Sequence, residues 1–189
     1  RYLPLLACLD TQLKFHGSKP LFVAIDGMSA SGKSTLGALL ADVYGDTCTL
    51  LHMDDYFLPP EKKTAERLSI PGGNVDWERF SKELLQPLLE GQIGSLRRYD
   101  CKTGQMCAPQ AVSPSRLIVV EGSYSLHPRL RDSYDIAVFC SISPEMQMKR
   151  IVKRNGSELA KRFHSSGKRL FFSLSRFRIV FLSFLKRRP

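Results

Sequence analysis

The chain has 189 residues, 43% hydrophobic and 24% charged, which suits one globular domain able to bury a full core. No apolar stretch reaches the ~20 residues of a spanning helix, and Arg1–Leu9 lacks the apolar region and cleavage site of a secretory leader. The five cysteines (Cys8, Cys48, Cys101, Cys107, Cys140) are scattered with no C-x-x-C pair, so reduced thiols in a cytoplasmic protein are expected and a cysteine metal site is not.

The formal net charge of +10 is local. Residues 165–189 carry seven Lys/Arg (Lys168, Arg169, Arg176, Arg178, Lys186, Arg187, Arg188) and no Asp or Glu, leaving +3 for residues 1–164. The overall charge is therefore no argument for a nucleic-acid partner.

In chain order, Tyr2–Phe15 has helical spacing of Leu5, Leu6, Leu9 and Leu13. Leu21–Asp26 is a short apolar strand, and Leu36–Val43 is a Leu/Ala-rich helix. Between them, Gly27-Met28-Ser29-Ala30-Ser31-Gly32-Lys33-Ser34 fits the phosphate-binding pattern G-x-x-x-x-G-K-[ST]. In such a loop backbone N–H groups close around a polyphosphate, and the following helix directs its N-terminal dipole at it. Gly27, Ser29, Ala30, Ser31, Gly32, Lys33, Ser34 and Thr35 are thus candidate ATP-binding residues. Lys33 is expected to reach the β/γ-phosphates, and the Ser34 hydroxyl to ligate Mg²⁺.

Thr47–Met53 reads as a second strand, ending at Asp54-Asp55. Leu58–Asn74, with three prolines and two glycines, reads as a mobile loop poor in regular structure. Asp76 can cap a helix through Trp77, Phe80, Leu84 and Leu88, which Pro87 should kink or break. Ser95–Pro114 is polar and turn-rich, in the manner of a hairpin. Leu117–Val120 is a continuous aliphatic strand ending at Glu121-Gly122, and Tyr134–Ser141 is another. Pro144 opens a helix to about Arg154. Strands alternating with helices predict an α/β fold of the P-loop NTPase type, three layers α/β/α around a mostly parallel sheet.

In such a sheet ligands sit beyond the carboxyl ends of the strands, where the phosphate loop, Asp54 and Glu121 arrive together. Transfer to a hydroxyl needs a carboxylate to accept its proton and others near the metal. Asp54 is the candidate base, and Glu121 a metal-shell acid with Ser34 and Asp54. Arg150 and Arg154, four apart on one helix face, can neutralise charge on a transferring phosphoryl group.

With these residues the chain resembles the uridine kinase and phosphoribulokinase family of P-loop kinases, in particular the small bacterial uridine-kinase-like proteins, over roughly residues 20–164. Asp54-Asp55-Tyr56-Phe57 is similar to the family's D-[SD]-[FY]-[FY] motif, which implies Asp54 as catalytic acid/base. Asn74-Val75-Asp76-Trp77 resembles the segment whose Asp holds a nucleoside ribose, implying Asp76. Tyr99-Asp100 resembles the motif lining the acceptor pocket, and Val120-Glu121-Gly122 the family's V-E-G. Arg150 and Arg154 fall where members carry lid arginines; Tyr56 and Arg162 are further substrate-side candidates. The resemblance implies a kinase domain over 1–164, with 58–74 as acceptor-side loop and 149–164 as lid. It implies ATP and Mg²⁺ as cofactors and a small-molecule acceptor, a nucleoside such as uridine or cytidine. It implies neither nucleic acid nor membrane, and leaves a homo-oligomer open.

Two departures stand out. Gly104 occupies the place of the His that meets the pyrimidine base in nucleoside-specific members. Residues 165–189 are Ser-, Phe- and Lys/Arg-rich where relatives are acidic and aromatic. One reading of that switch is a shifted reading frame near Ser165; the competing readings are a basic amphipathic segment for anionic membrane, against which the apolar residues form no clean stripe, and a cryptic strand pair. Two other functions fit the loop: a nucleotide-dependent switch, for which an N-K-x-D motif is missing, and a binding-only remnant.

Overall fold

The computed structural model describes residues 2–167 and 183–184. Its centre is a five-stranded sheet. The strands are β1 (Leu21–Gly27), β2 (Cys48–His52), β7 (Leu117–Glu121), β8 (Ile136–Cys140) and β9 (Ser183–Phe184), in the order β2-β7-β1-β8-β9. The first four run parallel, and β9 pairs antiparallel with Ile136 and Ala137. Four short strands, β3 (Gly94–Leu96), β4 (Tyr99–Asp100), β5 (Gln105–Met106) and β6 (Gln110–Val112), form the antiparallel pairs β3–β6 and β4–β5 of the expected hairpin region.

Alternation along the central strands sends side chains to opposite faces. Phe22, Ala24, Ile118 and Val120 face one layer, with Phe80, Leu84, Leu85 and Leu88 packed over them. Leu21, Val23, Ile25, Leu117 and Val119 face the other, under Leu9 of α1 (Leu3–Phe15) and Leu36 and Leu40 of α2 (Lys33–Tyr44). Both faces are covered, so these strands are apolar runs and the fold is the expected three-layer α/β/α. Among the described residues no helix is long and apolar enough to cross a membrane.

Two segments differ from the sequence expectation. Residues 58–74 are not devoid of regular structure: a 3₁₀ turn (Pro60–Lys62) and α3 (Ala65–Ser69) lie within them. Thr64 caps α3 by accepting from Arg67 N at 3.1 Å. The Arg67 guanidinium then holds the segment, donating to Gly73 O (3.2 Å), Val75 O (3.0 Å) and both Glu78 carboxylate oxygens (2.6 and 2.7 Å). Pro87 does not break its helix either. α4 (Trp77–Phe80) and α5 (Gln86–Leu89) join through a π-helical turn at Ser81–Leu85. Pro87 cannot donate to the carbonyl four residues back, and the widened turn before it absorbs the mismatch without interrupting the path.

The last helix, α6, spans Pro144–Gly167 and is interrupted at Gly156 (φ 80°, ψ 166°), just beyond the expected end at Arg154. The tail expectations fall largely outside the described residues.

Candidate active site

Strand ends, loop and helix terminus meet at one edge of the sheet in a cleft of about 380 Å³. The phosphate loop and start of α2 supply Ser29, Ala30, Gly32, Lys33, Ser34 and Thr35; the 3₁₀ turn after β2 (Met53–Tyr56) supplies Asp54; the end of β7 and the residues after it supply Glu121, Gly122 and Ser123; α6 supplies Arg150 and Arg154. Ala30 (φ 59°) and Gly32 (φ 104°) are left-handed, the backbone form in which a loop can turn N–H groups toward an anion at the start of α2. The Lys33 ammonium donates to Gly27 O at 2.9 Å and Met28 O at 3.0 Å. Burial lowers its pKa, opposed by the charges of Asp26, Glu121 and Asp54. Arg150 Nη1 donates to Ala30 O at 3.1 Å and Gln147 Nε2 to Ser29 O at 3.1 Å, which seats α6 against the loop.

Glu121 is nearly buried and held at both oxygens. Ser34 Oγ donates to Oε2 at 3.1 Å, and His52 Nδ1 stands 2.6 Å from Oε1. That hydrogen bond is the main reason the His52 pKa is raised. Burial raises the Asp54 pKa, and neighbouring Glu121 raises it further; Lys33, His52 and Arg154 pull it back. The Asp55 carboxyl is raised by burial against the pull of Arg98. A serine hydroxyl with two carboxylates is a hard-oxygen donor set of the kind Mg²⁺ takes beside phosphates, and the start of α2 with Lys33, Arg150 and Arg154 suits a polyphosphate. The residues therefore fit both ATP and Mg²⁺.

Other candidates lie away from the cleft lining. Gly27 ends β1 beneath the loop, and Ser31 is buried within it. Asp76 is buried, caps α4 by accepting from Arg79 N (3.2 Å), and pairs with Arg79 Nε (3.4 Å) and Lys62 Nζ (3.5 Å). Tyr56 is fully buried, edge-on to Phe80 at 5.0 Å with the Arg79 guanidinium 4.4 Å over its ring. Tyr99 is buried on β4, opposite Met106. The Arg162 side chain lies outside the described ones. Gly104 has φ +70° in the β4–β5 turn, where a side chain is strained and would approach Tyr99 Oη at 3.8 Å.

Sequence reasoning passed over His52, Gln147 and Ser123. The signal for His52 was its place two residues before Asp54 at a strand end; its partner is 69 positions away.

Residues 22–168 match the phosphoribulokinase/uridine kinase family. The chain belongs to that family. Among its family relatives, phosphoribulokinase from Synechocystis sp. is 27% identical over 160 residues, covering 83% of this chain and 46% of that one. Uridine kinase from Clostridium perfringens is 24% identical over 153 residues, covering 78% and 74%. A solved structure described as a possible uridine kinase from Bacillus stearothermophilus superposes with a TM-score of 0.58 at 22% identity, covering 88% of this chain and 96% of that one, and shares the fold. The chain spans less than half the length of the phosphoribulokinases it matches.

Proposed function

We propose that this family member is an ATP- and Mg²⁺-dependent kinase transferring the γ-phosphate to the 5′-hydroxyl of a nucleoside such as uridine or cytidine. The observation carrying the proposal is the meeting of Asp54 with Lys33, Ser34 and Glu121 in one cleft beside a helix N-terminus. The loop N–H groups and Lys33 bind the β- and γ-phosphates. Ser34, Glu121 and Asp54 would hold Mg²⁺, which would supply neutralisation of the charge developing on the phosphates. Asp54 orients the acceptor hydroxyl and takes its proton. Arg150 and Arg154 act as the lid, countering charge and excluding water. Asp76 and Tyr99, on the acceptor side, shape the pocket that receives the sugar.

Gly104 favours a second reading within the same chemistry. Its left-handed turn leaves no side chain to meet a pyrimidine, so the acceptor can be another small hydroxyl compound. The test is ADP release with ATP and Mg²⁺ against nucleosides, nucleoside monophosphates, sugars and sugar acids, with Asp54→Asn beside the natural chain. Turnover with one acceptor, reduced roughly 10²- to 10⁴-fold in the variant, identifies the substrate. Turnover indifferent to every acceptor would instead indicate a nucleotide switch.

A further inference from the structure

The register of the sheet sets an unassigned histidine against the metal side of the site. His52 and Glu121 are paired in adjacent parallel strands, β2 and β7, as the last partners before the cleft. The imidazole therefore lies alongside the carboxylate and not across the cleft. The 2.6 Å contact of Nδ1 with Oε1 is a hydrogen bond to an acceptor-only group, so Nδ1–H is the donor. The other oxygen accepts from Ser34 Oγ at 3.1 Å. The chain His52–Glu121–Ser34 thus joins β2, β7 and the first turn of α2.

We propose that His52 is a positioning residue for Mg²⁺–nucleotide binding, fixing Glu121 so that Glu121 orients the Ser34 hydroxyl toward the metal. When Ser34 O–H donates to Glu121, its lone pairs turn away from the carboxylate and face the cleft. Gly37 of α2 packs against the Glu121 stem, where a Cβ would come 3.2 Å from Cγ, but it offers the carboxylate oxygens no side-chain partner. Lys33 attracts the same carboxylate across the site. Without the imidazole, Glu121 turns toward that ammonium and Ser34 loses its fixed rotamer. Hydrogen-bond partners outside the ligand set characteristically set ligand orientation, and their loss costs about ten- to a hundredfold in metal affinity or activity.

The inference rests on the Mg²⁺–nucleotide part of the proposed function, and its test needs no acceptor. The His52 side chain is 45% exposed, so His52→Ala opens no core cavity. Binding of a non-hydrolysable ATP analogue is measured by calorimetry with and without Mg²⁺, and Mn²⁺ uptake by the analogue complex is followed by electron paramagnetic resonance. The expected result for His52→Ala is metal affinity lower by about ten- to a hundredfold, with metal-free nucleotide binding unchanged. His52→Asn, which keeps an N–H near the Nδ1 position, restores most of it. Equal metal dependence in His52→Ala and the natural chain overturns the proposal. So does an equal loss with and without metal, which marks a merely structural role, or an Asn variant no better than Ala. A natural chain that binds Mg²⁺–nucleotide yet phosphorylates no acceptor defeats the kinase reading, while the His52 comparison is decided by binding alone.

Discussion

Asp54 stands between opposing fields, with Glu121 and burial favouring its protonated form and Lys33, His52 and Arg154 its ionised form. The net shift is upward. A base must be ionised to accept a proton, so protonation switches it off as pH falls through its raised value. The acid limb of kcat/KM should therefore disappear in residual Asp54→Asn activity. An acid limb that persists unchanged in the variant would remove Asp54 from the role. Sequence made the phosphate loop and Asp54 legible because their chemistry sits in contiguous residues after predicted strands. His52 was not legible in that way. Its meaning comes from pairing with Glu121, and register between distant strands has no local signature.

Among elements, the segment 58–74 depends most on one side chain. Arg67 bonds two backbone carbonyls and Glu78, and its guanidinium lies 5.7 Å from the Trp77 ring centroid. Arg67→Ala should cost about 1–3 kcal/mol, from two backbone acceptors left unpaired and one ion pair lost. It should raise KM for the acceptor and leave KM for ATP unchanged, since no residue of the segment lines the phosphate cleft. Denaturant unfolding and steady-state kinetics measure the two effects. Prolines and glycines had suggested a mobile loop here. They mark the turns correctly, but the order comes from an arginine reaching over six to eleven residues. The central strands were legible for the opposite reason: two-sided burial writes itself as an unbroken aliphatic run. At Pro87, composition gave the position of the irregularity and not its form, because a π-turn and a break differ only in how neighbouring packing responds.

At the scale of the whole molecule, the site joins the phosphate loop, the turn after β2, the end of β7, α2 and α6, so ligand binding draws on segments far apart in the chain. Saturation at about 100 times Kd stabilises a protein by about 2.7 kcal/mol, which for a chain of this size is roughly 5–10 °C in Tm. Mg²⁺–ATP should produce such a shift in a thermal melt, and Lys33→Ala should abolish it. No shift with the natural chain would contradict nucleotide binding. The three-layer architecture followed from the alternation of strands and helices. The balance of charge did not bear on the fold, since most of the excess lies in residues 165–189.

The chain has a single tryptophan. Trp77 stacks on His127 at 5.1 Å and 16°, with Arg67 near the same ring. One indole therefore touches the segment 58–74, through Arg67, and the loop after β7, through His127, together. Any movement of one against the other alters the polarity around that ring. The molecule carries its own optical gauge of the contact between these two segments, readable by stopped-flow emission without a label.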